Sequence, residues 1–98
     1  MMALAAEHLR RLGHPLRLTL FALLRQRGEL CVGAMATALG VQQATLSRHL
    51  RVLKDGRLVD SRRAGSNVFY AVDGETFAEL SGKLGAILTD RSGNERSR

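Results

Sequence analysis

Ala36-Thr37-Ala38-Leu39-Gly40-Val41-Gln42-Gln43-Ala44-Thr45-Leu46-Ser47-Arg48-His49-Leu50-Arg51-Val52-Leu53-Lys54 reads as two short helices joined by a glycine turn. That is the outline of a helix-turn-helix, whose second helix lies in a DNA major groove with small or polar residues outward and apolar residues holding it to the domain. At about 100° per residue from Leu46, Leu50 and Leu53 fall within about 40° of it, whereas Ala44, Arg48 and Arg51 point to the opposite side. The apolar stripe is the anchor and the other face is the reader.

Beyond this helix the period changes from helical to alternating. Lys54-Asp55-Gly56-Arg57 ends the helix, Gly56 being suited to a left-handed C-cap and the cations to the carboxyl end of the dipole. Leu58-Val59-Asp60-Ser61-Arg62-Arg63 and Asn67-Val68-Phe69-Tyr70-Ala71-Val72 then read as two strands around Ala64-Gly65-Ser66. A basic hairpin placed directly after a helix-turn-helix makes a winged helix.

Upstream, Leu4, Ala5, Leu9 and Leu12 recur at helical spacing until Gly13-His14, and Pro15 suits the first turn of a second helix striped by Leu16, Leu20, Leu23 and Leu24. Downstream, Asp73-Gly74-Glu75-Thr76 opens a helix carrying Phe77, Leu80, Leu84, Ile87 and Leu88 at three- and four-residue steps. The fold class is therefore mainly α with one β-hairpin: four helices, two strands and a fifth helix. A small core cannot cover both terminal helices, so the first and the fifth are expected to pack against their counterparts in a homodimer. Residues 1–90 form the expected domain, and the polar, aperiodic stretch 91–98 an expected disordered tail.

The 98 residues, 45% of them apolar, suit one domain with a modest core. The net charge of +6 is uneven: residues 1–40 carry +3, residues 41–72 carry +4 and the remainder −1. The proposed reader and wing thus hold the strongest positive field, the footprint of a nucleic-acid binder, although charge alone suits a solvated basic surface equally. No stretch reaches the length of a membrane span, no signal-peptide pattern opens the chain, and the lone Cys31 excludes an intrachain disulfide. These features point to the cytoplasm.

The chain resembles the ArsR/SmtB family of bacterial winged-helix repressors over about residues 4–88. The resemblance rests on Leu12-Gly13-His14-Pro15-Leu16-Arg17-Leu18, Glu29-Leu30-Cys31-Val32-Gly33, Gln43-Ala44-Thr45-Leu46-Ser47-Arg48-His49-Leu50, and Gly65 to Tyr70. The third of these, in the recognition helix, is the specific one. The resemblance implies a homodimeric repressor that sits on an inverted repeat near a promoter and leaves when an inducer binds. Two-fold symmetric readers of this kind place their half-sites about one helical turn, ~34–36 Å, apart.

Gln43, Thr45, Ser47 and Arg48 are the expected base readers, because Gln pairs two-pronged with adenine, Arg with guanine, and the Thr methyl meets thymine. Ala44 allows close approach. His49 matches the family's histidine but sits about 60° off the inward stripe, so packing, phosphate contact and base reading all remain open. Arg51, Arg62 and Arg63 are expected at phosphate or minor groove, with ordinary surface arginine as the alternative.

Arsenic-sensing relatives carry a second cysteine where this chain has Gly33, and soft metalloids need clustered thiolates. His8 and His14 flank a glycine and precede a proline, a poor geometry for a shared ion, and both read as structural or solvent-facing. No metal and no cofactor are therefore expected. Cys31 is either a buried apolar residue or a single-thiol redox switch; a dithiol switch needs a second cysteine. Catalysis is the weakest reading, since Ser47 and His49, two apart on a helix, do not face each other. A protein-docking winged helix is the remaining alternative, and the run of arginines favours DNA. Operator and inducer are not legible.

Overall fold

The computed structural model describes residues 2–89; the expected tail at 91–98 lies outside them. Helix α1 spans Ala3–Leu12 and ends at Gly13, whose N–H bonds the Arg10 carbonyl at 3.2 Å. Helix α2, Pro15–Arg27, starts as its sequence requires: Pro15 occupies the first turn and His14 Nδ1 accepts from the Leu16 N–H at 3.1 Å. Strand β1, Leu30–Cys31, leads without a loop into α3, Val32–Leu39. Gly40, with φ 66°, supplies the left-handed turn between α3 and α4, Gln43–Asp55. The wing is β2, Val59–Ala64, and β3, Asn67–Val72, and α5, Gly74–Thr89, closes the fold. Asp73 caps α5, its Oδ1 accepting from the Thr76 N–H at 2.9 Å.

The core forms where α2, α3, α4 and the root of the wing converge. Leu20, Leu24, Met35, Leu46, Leu50, Leu53, Leu58 and Val59 are fully buried, so the inward stripe of α4 lies where its periodicity places it. Two arginines from the N-terminal segment fasten α4 from behind. Arg11 Nη1 donates to the Val52 carbonyl at 2.9 Å, and Arg17 bonds both the Arg11 carbonyl and His49. Through Val52 and His49 these bonds link α4 to α1 and α2.

Three details depart from the sequence reading, the smallest being that the first wing strand runs Val59–Ala64 and not 58–63, which takes Ala64 out of the turn. The hairpin is part of a three-stranded antiparallel sheet, order β1-β3-β2, in which Leu30 pairs with Tyr70 and Cys31 with Phe69. A two-residue strand is too short to show alternation, and its partner lies far along the chain. Gly56, expected to be left-handed, has φ −89° and ψ 5°, and the positive φ of 61° falls on Arg57. The missing side chain leaves space for Arg11 instead: a Cβ there would stand 2.3 Å from Arg11 Cδ and would make that side chain shift.

The outer faces of α1 and α5 stay open. Leu4 and Leu9 on α1, Leu18 on α2 and Ile87 and Leu88 on α5 are exposed, Leu88 at 80%. Between these helices runs an apolar groove of about 410 Å³ lined by Leu9, Leu12, Phe21, Phe77, Leu80 and Leu84, among others.

Candidate nucleic-acid interface

With Leu46, Leu50 and Leu53 turned inward, α4 presents Gln43, Ala44, Ser47, Arg48 and Arg51 to solvent. Thr45 is half-buried and accepts a long hydrogen bond from Arg48 Nη2 at 3.4 Å. Gln43 lies against α3, its Nε2 being 3.4 Å from the position a Cβ on Gly33 would take. That distance is ordinary van der Waals contact, so the start of the reading helix sits directly beside position 33.

Beside α4, the wing forms the second wall of a cleft of about 670 Å³. Ser47, Arg48, Arg51 and Lys54 line it from α4, with Ser61 and Arg63 from β2 and Tyr70 from β3. Ser61 pairs with Tyr70 and Arg63 with Val68 in the strand register, so these four share one face of the hairpin. Lys54 Nζ donates to Ser61 Oγ at 2.7 Å and ties the wing to the end of α4. Arg48, Arg51, Lys54 and Arg63 thus converge on one channel, with Asp55 as its acidic member. This geometry favours a sugar–phosphate strand, an anion that presents several charges in a row. Lys54, Ser61 and Tyr70 were absent from the sequence-based set. Lysine at a helix end reads there as a dipole partner, and the convergence of α4 with the wing has no local signature.

Two expected site residues turn elsewhere. His49 is half-buried with its Nδ1 3.2 Å from Arg17 Nη1 and its ring 4.5 Å, centroid to centroid, from that of His14. Burial lowers its pKa below the usual 6.5, helped by the charges of His14, Arg17 and Arg48. It is therefore neutral at pH 7, accepts the Arg17 N–H, and belongs to the joint between α2 and α4. Arg62 lies on the side of the hairpin opposite Arg63, where Nε and Nη2 each donate to the Glu29 carboxylate at 2.7 Å. This hydrogen-bonded guanidinium holds the Glu29 carboxyl below its ordinary range.

Comparison with known proteins places the geometry. A family model described as a helix-turn-helix domain matches residues 12–62. A biofilm growth-associated repressor of Agrobacterium fabrum is 40% identical over 80 residues, covering 82% of this chain and 68% of the relative. A transcriptional repressor of Synechocystis, an SmtB homologue, is 43% identical over 67 residues, 68% of this chain and 50% of its own. The solution structure of a homodimeric winged helix-turn-helix DNA-binding domain from Mycobacterium bovis, assigned as a possible ArsR-family regulator, matches with a TM-score of 0.72 and 34% identity, covering 99% of this chain and 88% of the other. The chain belongs to the ArsR/SmtB family.

As an ArsR/SmtB-family transcriptional regulator it carries its own version of the segment before α3. Cys31 is half-buried at the N-cap of α3, and Gly33 faces Gln43. Among the described residues no group of three or more His, Cys, Asp or Glu side chains is arranged to hold a metal ion. His8 is buried at 4% exposure on the inward side of α1, and His14 is engaged as the α2 cap. No helix among these residues is long and apolar enough to cross a membrane.

Proposed function

We propose that the protein is a homodimeric repressor that binds an inverted-repeat operator through α4 and the cleft beside it. It acts in the cytoplasm, without catalytic activity, resident metal or cofactor. The observation that carries the reading is the division of α4. One face is buried to the last atom at Leu46, Leu50 and Leu53, while the other offers Gln43, Ser47 and Arg48 near its N-terminal end and Arg51 and Lys54 further along. Recognition helices place the residues of their first turns against base edges, so Gln43, Thr45, Ser47 and Arg48 read bases and Ala44 permits close approach. Arg51, Lys54 and Arg63 hold the strand lying in the cleft.

Dimerisation is supported by the uncovered leucines of α1, α2 and α5 and by the homodimeric state of the Mycobacterium bovis domain. Burying such a contiguous apolar face against a second copy removes it from water, and a two-fold axis matches two readers to two half-sites. An inducer, if it releases this repressor, is of a chemistry other than a metalloid held by clustered thiolates, because each chain offers only Cys31.

The test is retention of randomised duplexes by purified protein at two salt concentrations, followed by sequencing. Enrichment of an inverted repeat with half-sites about one helical turn apart, near 34–36 Å, is the expected result. Retention without sequence preference refutes the operator reading.

A further inference from the structure

Arg62 and its neighbour Arg63 do different work. In the sheet order β1-β3-β2, Cys31 and Arg62 both pair with Phe69, from opposite sides of the middle strand. Directly opposed residues of an antiparallel ladder project from the same face, so all three side chains share the face turned away from the α4 cleft. The Arg62 guanidinium carbon lies 4.8 Å from the centroid of the Phe69 ring, and its two nitrogens reach both carboxylate oxygens of Glu29 at 2.7 Å. Glu29 immediately precedes β1. The arginine therefore runs from one edge of the sheet over the middle strand to the other edge.

A phosphate contact needs a guanidinium turned toward the reader and free to donate. Arg62 faces away from the reader, and its Nε–Nη2 edge, the one suited to two-pronged anion contact, is already committed to the Glu29 carboxylate while its flat face covers an aromatic ring. What it joins is mechanically specific. β1 has two residues and runs straight into α3, the first helix of the helix-turn-helix, so whatever holds Glu29 to the wing also holds the wing to that unit.

Resting on the DNA-binding reading above, we propose that Arg62 is a strap across the sheet and not a phosphate contact, and that Glu29 is a positioning residue for DNA binding. The pair holds the wing at a set angle to α3 and α4, so that Arg63, Ser61 and Tyr70 stay over the cleft.

Two measurements on Glu29→Gln, Arg62→Gln, Arg63→Gln and the exchanged pair Glu29→Arg/Arg62→Glu test this. In the DNA-free protein, amide hydrogen exchange across β1 and β3 is expected to speed up by about threefold in Glu29→Gln and Arg62→Gln, and to return to the parental rate in the exchanged pair. On duplex DNA at several salt concentrations, both single variants are expected to bind about threefold more weakly with an unchanged salt slope, whereas Arg63→Gln flattens the slope by about one unit. The exchanged pair regains the affinity.

The strap is overturned if exchange is unchanged in the single variants, if Glu29→Gln tightens binding by releasing Arg62, if Arg62→Gln flattens the slope as Arg63→Gln does, or if the exchanged pair recovers nothing. Failure of the parent protein to bind DNA strikes the functional reading alone, because the exchange rates are measured without DNA.

Discussion

Replacing Gly56 by alanine sets two physical arguments against each other. The backbone at Gly56, φ −89° and ψ 5°, is open to any L-residue, so loss of chain freedom in the unfolded state favours Gly56→Ala by about 0.4–1 kcal/mol. The structure opposes this, because the new Cβ would stand 2.3 Å from Arg11 Cδ and 2.7 Å from its Nε. Arg11 must swing away, and its 2.9 Å bond to the Val52 carbonyl is lost. A hydrogen bond from a charged donor contributes about 1.5–3 kcal/mol. The value here is nearer the lower end, because the Arg11 side chain is 28% exposed and the Val52 carbonyl keeps a second donor, the Gly56 N–H at 3.3 Å.

The net expectation is a loss of about 1 kcal/mol, read as a lower urea midpoint at fixed protein concentration with an unchanged slope. In an Arg11→Ala background the obstacle is gone, and the same substitution should stabilise by about 0.5 kcal/mol. The reversal of sign isolates the Arg11–Gly56 coupling from everything else the two changes do. Gly56→Ala stabilising the parent, or acting identically in both backgrounds, refutes the account of how α1 is fastened to α4.

Three further outcomes follow from the same structure. Leu50→Ala empties a fully buried position at the centre of the core and should cost about 3 kcal/mol by urea unfolding, with DNA binding falling in step with the folded fraction. Since His49 has its pKa lowered first by burial and then by the Coulombic influence of His14, Arg17 and Arg48, the unfolded chain takes up its proton first. The stability it contributes is complete above the unfolded value near 6.5 and is lost as pH falls through the lowered folded value, so His49→Gln should lose less stability than the parent between pH 7 and pH 5.5. Leu88→Glu, at a position 80% exposed in the single chain, should leave the circular dichroism spectrum intact while sedimentation shows monomer where the parent shows dimer.

Much of this architecture is legible in the residues because it is local. The three leucines of α4 and the Pro15 start follow from periods and caps within a dozen positions and appear where they are expected, and the hairpin forms with its second strand at Asn67–Val72 as read and its first one residue later, at Val59–Ala64. What escapes is non-local. β1 exists only because Phe69 and Tyr70 are there to pair with it. Gly56 looks like a C-cap glycine until Arg11, from another helix, is seen to occupy its missing side chain.

The wing arginines lie between these cases. Strand parity already requires adjacent residues to face opposite ways, so Arg62 and Arg63 lie on opposite faces of the hairpin. Which of them faces the reader depends on α4 and on Glu29, 33 positions away. His49 is similar: its offset from the inward stripe is visible in the sequence, but its engagement by Arg17 is not.

The central claim is that the outward face of α4 reads sequence, and Arg48 tests it most directly. Randomised duplexes retained by the parent and by Arg48→Ala should be sequenced in parallel. The account predicts that the parent enriches an inverted repeat and that Arg48→Ala relaxes one position in each half-site, symmetrically, at a cost of about 1–3 kcal/mol for the cognate base, with the rest of the motif intact. An identical motif from both proteins, with only weaker binding by the variant, would contradict it and return Arg48 to the phosphates.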